Sequence, residues 1–243
     1  MVRITRAVGL CVLTVVVVCP SLSASAAGKP ATMLDEYTFD AVSGNAVSDV
    51  TNHGHTLTLS GSWSTVNGVS TPAVAFAPMS LGDSPNSSDL NPLTKGFAAT
   101  AVFRLPGDIS SLPDTPNIVQ KGFYNDPGQW KMQLKPKTAI VQCRFKGTSG
   151  ALLLSSQVTR VDDGSWHTST CWRDGTQVGV TVDGVTNQTT ADIGSIASSR
   201  SLRVGAKSLS ATTDQFTGTL DYIGIAVGSN AAAVTKAAAP TIG

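Results

Sequence analysis

Hydrophobic and polar positions alternate along the chain in short runs, and Gly, Pro, Asn, Asp and Ser separate the runs. "FAATAVFRL" places Phe97, Ala99, Ala101 and Phe103 on one side of an extended segment. "AIVQCRFKG" sets Val141, Cys143 and Phe145 against Gln142, Arg144 and Lys146, and "TQVGVTVDG" aligns Val178, Val180 and Val182 ahead of an Asp-Gly turn. "SLRVG" and "TLDYIGIAVG" complete the set. A period of two sends successive side chains to opposite faces, so each run predicts a strand with one buried face. No convincing helical period is visible. Strand signals recur roughly every ten residues, which predicts an all-β sandwich or jelly roll rather than alternating strands and helices. The last residues, "SNAAAVTKAAAPTIG" (229–243), offer no apolar period that could pack and are expected to be a flexible tail.

The start of the chain departs from this pattern. "MVRITRAVGLCVLTVVVVCPSLSASA" carries Arg3 and Arg6, an apolar run from Ala7 to Cys19, and the small residues Ala24-Ser25-Ala26. Basic residues, an apolar segment and a small-x-small site in that order predict a signal peptide over residues 1–26. The apolar run is shorter than the roughly 20 helical residues that cross a bilayer, so secretion without membrane insertion after signal removal is expected. The chain has 243 residues, 17 of them Lys or Arg and 16 Asp or Glu. Losing the two arginines leaves 15 basic residues against 16 acidic ones. With no basic excess to neutralise phosphates, nucleic acid is not an expected partner. Beyond residue 26 the chain is long enough to bury a core without a dense disulfide framework. This part holds two cysteines, Cys143 and Cys171, and in a secreted protein such a pair is most simply one disulfide.

One stretch is more specific. In "DGSWHTSTCWRDGTQVGVTVDG" (163–184), Trp166, Thr168, Thr170 and Trp172 alternate with His167, Ser169, Cys171 and Arg173. Asp174-Gly175 and Asp183-Gly184 are hairpin signals, so the segment predicts a meander. Gly164, Trp166, His167, Arg173, Gly175, Val182, Asp183 and Gly184 match the "dG.WH…rdG…vDG" core of laminin-G-like domains, which the sequence resembles. "YTFDAVSGNAVSDVTNHGHTLTLSG", "VAFAP", "IVQKG", "WKMQL" and "FTGTLDYIGIAVG" resemble the family's other strands in the right order. The likeness covers residues 33–228 and implies one two-sheet antiparallel β-sandwich, a concanavalin A-like jelly roll of about a dozen strands. It also implies a Cys143–Cys171 bond between neighbouring antiparallel strands. The alternation alone puts Cys143 with Val141 and Phe145, but Cys171 with His167 and Ser169. Laminin-G-like domains frequently bind calcium through loop oxygens, and carried over this points to Asp40, Asp49 and Asp221 as ligands of a structural ion.

Catalytic signatures are missing. A retaining glycosidase needs two closely spaced carboxyls, and no E-x-D-x-E run is present. His167 has no G-x-S-x-G or comparable partner and reads as a packing and hydrogen-bonding residue. His53 and His55 form a His-x-His pair without a third metal ligand, at a turn leading into "TLTL". Glycan sites need exposed aromatic platforms with a few directed polar groups. "KGFYNDPGQW" (121–130) supplies Phe123 and Tyr124 beside Asn125 and Asp126, and Trp63 is a second option. The expectation is a secreted, non-catalytic module that binds carbohydrate or an extracellular or cell-envelope protein. A polysaccharide-degrading glycosidase or lyase and a protein-protein adhesion module are the alternatives.

Overall fold

The computed structural model describes residues 29–69, 72–112, 114–158, 160–210 and 213–243. The leader read at residues 1–26 lies outside the described residues. The first half holds β1 (Thr32–Tyr37), β2 (Val42–Ser43), β3 (Ala46–Val47), β4 (Leu57–Ser60), β5 (Trp63–Asn67), β6 (Pro72–Phe76), β7 (Leu81–Ser84), β8 (Phe97–Arg104) and β9 (Asn117–Lys121). The second holds β10 (Gln129–Lys135), β11 (Ile140–Lys146), β12 (Ala151–Ser155), β13 (Trp166–Asp174), β14 (Gln177–Val182), β15 (Val185–Thr190), β16 (Leu202–Val204) and β17 (Gly218–Val227), followed by α1 (Ala231–Ala238). The strand count exceeds the expected dozen partly because β2 and β3 are two-residue halves of one small hairpin.

Two antiparallel sheets face each other. One runs β15-β14-β13-β8-β17-β6-β5, with β1 also paired to β17, and the other runs β12-β11-β10-β9-β16-β7-β4-β3-β2. Their inner faces meet as the alternation predicts. Phe97, Ala99, Ala101 and Phe103 of β8, Val178, Val180 and Val182 of β14, and Trp130, Met132 and Leu134 of β10 share one core. Phe97 and Trp130 lie with ring centroids 4.8 Å apart at its centre. The meander forms as β13-β14-β15. Asp183 and Gly184 carry its second turn at φ 48° and 85°, the left-handed geometry that a tight hairpin requires.

The Cys143–Cys171 disulfide is present, with Cα atoms 5.5 Å apart. It does not join neighbouring strands, as expected, but ties β11 of one sheet to β13 of the other. The mismatch of faces disappears with this placement. His167, Ser169, Cys171 and Arg173 are the buried side of β13, so both sulfurs point into the space between the sheets. In the chain-entropy account, a bridge between residues 28 apart stabilises the fold by about 3–4 kcal/mol.

The expected flexible tail at 229–243 is corrected at residues 231–238, which form α1. This helix lies on the outer face of the β8 sheet, where Ala231 packs with Ala98 and Ala226. Thr235 is fully buried, and its hydroxyl meets that of Thr100 at 2.7 Å. The centre of this contact is Ala and Thr, with Met33, Trp172 and Val234 packed around it, so little of the apolar stripe that a period search detects lies on the helix itself.

Candidate functional site

The outer face of the β12-to-β2 sheet carries a row of polar side chains. Register aligns Arg203 of β16 with Gln120 of β9, Gln120 with Lys131 of β10, and Lys131 with Arg144 of β11. The alternation that sends Trp130, Met132, Cys143 and Phe145 into the core sends Gln129, Lys131, Gln142 and Arg144 to this opposite face. These side chains are nevertheless buried, each 9% exposed or less. The loop between β9 and β10 rises beside them and closes a cleft of about 870 Å³.

That loop is held in a definite shape. Gly122 sits at φ +90°, and a Cβ there would collide with the carbonyl oxygen of Gly128. Asp126 accepts the Phe123 N–H at 2.9 Å and pairs with Arg200 at 3.0 Å. The Arg200 guanidinium holds the Asp126 carboxyl below the usual range. Phe123 lies under two guanidiniums, Arg200 at 4.6 Å and Arg203 at 5.2 Å from its centroid. Tyr124 stacks on Arg144 at 4.2 Å and is itself 70% exposed. Phe123 and Tyr124, the aromatic pair singled out from the sequence, therefore both line the cleft.

The floor is a set of connected amides. Gln133 donates to Gln142, which donates to Ser155, and Gln120 accepts from Asn117, all at 3.0 Å. Gln129 accepts from Arg144 and donates to the Gly122 carbonyl. The cations divide into two kinds. Arg200 is paired with Asp126, and Lys207 with Asp214 at 2.7 Å. Arg144 and Lys131 have no carboxylate partner among the described residues. The Lys131 ammonium has no hydrogen bond to protein there either. Burial pushes its ammonium down to about 8, with Lys207 and Arg144 adding to the shift and Asp214 opposing it. Sequence reading did not single out Lys131. The available signal was a lysine inside an otherwise regular strand, "QWKMQLK".

The three carboxylates expected to hold calcium do not meet. Asp49 folds its own loop: its oxygens accept the N–H groups of Glu36, Thr51 and His53 at 3.0–3.1 Å and the Thr51 hydroxyl at 2.6 Å. Asp221 sits at the register shift of β17 and accepts the Val69 N–H at 2.9 Å. Burial raises its carboxyl, and the Asp40 charge adds to this. Asp40 and Asp221 are hard oxygen donors of the type calcium takes, whereas Asp49 has its oxygens engaged. Among the described residues, the one group of three metal-type ligands within 4.8 Å is Asp35, Asp49 and His55. All three are already engaged, Asp49 by its own loop. Asp35 pairs with His55 Nδ1 and accepts from Tyr37 at 3.2 Å, and His55 Nε2 lies 3.4 Å from Asp89. His167 plays a comparable part on β13, with Nδ1 2.7 Å from Asp183 and Nε2 3.1 Å from Asp163.

Fold and register define a concanavalin A-like jelly roll, and the laminin G domain family model matches residues 123–226. That match covers the stretch that contains the cleft loop and the meander. No curated protein is significantly similar in sequence. The binding domain of Paraclostridial Mosquitocidal Protein 1 superposes with a TM-score of 0.66 at 15% identity, over 84% of this chain and 51% of that one. Domain 4 of AbnA, an extracellular arabinanase from Geobacillus stearothermophilus solved with arabinotriose, superposes at 0.63 and 18% identity, over 87% of this chain and 100% of that one. The botulinum neurotoxin serotype G binding domain gives 0.58 at 13% identity, over 85% and 50%. The chain thus spans about half the length of the toxin binding domains it matches and the whole of the arabinanase domain. At these identities the likeness is one of fold. No described helix is long and apolar enough to cross a membrane.

Proposed function

We propose that the protein is a secreted, non-catalytic binding module that takes a saccharide in the cleft beside Phe123 and Tyr124. The observation that carries this reading is the exposed Tyr124 ring, held flat by Arg144 at the lip of a cleft floored with buried amides. A flat ring covers the apolar face of a sugar, and side-chain amides bond its hydroxyls in pairs. The arabinanase domain solved with arabinotriose supports the reading by analogy of fold. Secretion rests on the leader at residues 1–26 and on the disulfide, which persists in an oxidising compartment. We assign structural calcium to Asp40 and Asp221, neither of which lines the cleft.

The test is affinity electrophoresis of residues 27–243 through a panel of polysaccharides, with calcium and with a chelator, while released reducing ends are assayed. Retention on at least one polysaccharide, lost in Tyr124→Ala and indifferent to the chelator, is expected. Unchanged retention of Tyr124→Ala would remove the cleft from the account. Released oligosaccharide would replace the binding module with an enzyme.

A further inference from the structure

The saccharide cleft contains more positive charge than its own carboxylates balance. Four of its lining residues are cations, Lys131, Arg144, Arg200 and Lys207, and two are acids, Asp126 and Asp214. Each acid is matched to one cation, Asp126 to Arg200 and Asp214 to Lys207. The unmatched pair, Lys131 and Arg144, stand directly opposite each other on β10 and β11. Arg144 is anchored through Gln129 and Tyr124, so its position is fixed before any ligand arrives. Lys131 is 8% exposed and its ammonium has no hydrogen-bond acceptor among the described residues. Most of the Lys131 side chain is out of water while its ammonium faces the cleft with no protein acceptor, a partly desolvated charge that the fold compensates only through the more distant Asp214.

We infer that the cleft binds an anionic saccharide, whose carboxylate or sulfate group is received between Lys131 and Arg144 while a sugar ring lies on Tyr124. This rests on the saccharide reading of the same cleft and adds the charge of the ligand to it. A planar acid group complements the two cations, because an ammonium and a guanidinium side by side supply convergent donors and the charge that the site lacks. The chain as a whole is close to neutral, so the preference is local and not a general attraction of a basic surface.

Matched polymers test it: polygalacturonate against its carboxyl-reduced form, and dextran sulfate against dextran, with poly-glutamate as a non-saccharide polyanion. Affinities are read by titration calorimetry on wild type, Lys131→Met and Tyr124→Ala. Wild type is expected to prefer at least one charged polymer over its neutral counterpart by about tenfold or more, the scale of one charge-assisted hydrogen bond. Whichever pair shows the preference identifies the acid as carboxylate or sulfate. Lys131→Met is expected to abolish the preference while its thermal midpoint stays at or above that of wild type. Equal affinities for charged and neutral members, still sensitive to Tyr124→Ala, would overturn the anionic ligand and leave the saccharide cleft intact. A preference that survives Lys131→Met would overturn the assignment of the site. Binding of poly-glutamate alone would place an acidic protein in the cleft and overturn the saccharide. No binding to any of the polymers would overturn this inference together with the reading beneath it.

Discussion

Lys121 and Lys131 lie on adjacent strands, both buried, both with ammonium groups pushed down to about 8 by loss of water. Their surroundings differ. Lys121 donates to Asn86 Oδ1 and to the Arg200 carbonyl, each at 2.6 Å, and ties the β7 and β16 ends together. The Lys131 ammonium donates to nothing among the described residues. A buried charge with acceptors is a piece of the frame, since removing it strands those acceptors. One without them is a cost that the fold alone does not recover. The Asp35–His55 network and Arg173, whose guanidinium donates to the carbonyls of Leu93, Lys95 and Gly194, belong with Lys121. Lys131 stands apart from them.

The contrast is sharpest where charge is most completely compensated. Asp35→Ala leaves the buried His55 Nδ1 without its carboxylate, while the Tyr37 hydroxyl keeps the His55 carbonyl, and a loss of about 3–5 kcal/mol in urea denaturation is expected. A loss below about 1 kcal/mol would mean that the network is not structural. Lys121→Met is expected to cost about 1–3 kcal/mol, the penalty for two buried acceptors left without a donor.

Lys131→Met is expected to act with the opposite sign, raising stability by about 1 kcal/mol at neutral pH. The pH dependence separates this from a packing effect. Between pH 8 and 10.5 the unfolded chain holds a proton that folded Lys131 has released, so wild-type stability gains as pH rises through that window. The advantage of Lys131→Met should therefore shrink from pH 8 to 10.5, and a constant advantage would trace it to volume alone. The groups facing this ammonium are Arg144, Lys207 and Asp214. The smallest effect on stability belongs to Tyr124→Ala, expected within about 0.5 kcal/mol because the ring is exposed, while retention on polysaccharide is lost. A larger fall in the melting midpoint would make Tyr124 part of the frame.

Much of this protein was legible in the order of its residues. The inward faces of β8, β10, β11, β13 and β14 follow the period-two pattern, and the Asp-Gly turns fall where the chain reverses. Phe123 and Tyr124 could be singled out as an aromatic pair in a Gly-Pro-Asn loop. The dock for α1 could not be read, because Ala98, Thr100 and Ala226 make it from small residues far apart in the chain. The surroundings of the expected calcium ligands were hidden for a related reason. Asp40, Asp49 and Asp221 share a residue type, yet Asp49 spends its oxygens on the backbone of its own loop.

Alternation, turn residues and the spacing of strand signals determined the sandwich, because burying one face of each strand is a local demand that every run must meet. Tertiary structure decided which strands face each other, and so that Cys143 and Cys171 bridge two sheets instead of two neighbours. It also decided which buried cations have partners. Lys121 and Lys131 look alike in sequence, and only the packing of β7, β9, β10 and β16 supplies oxygens to one and leaves the other turned toward a cleft. Compensation of charge depends on atoms within a few ångströms, and those atoms come from residues tens of positions away along the chain.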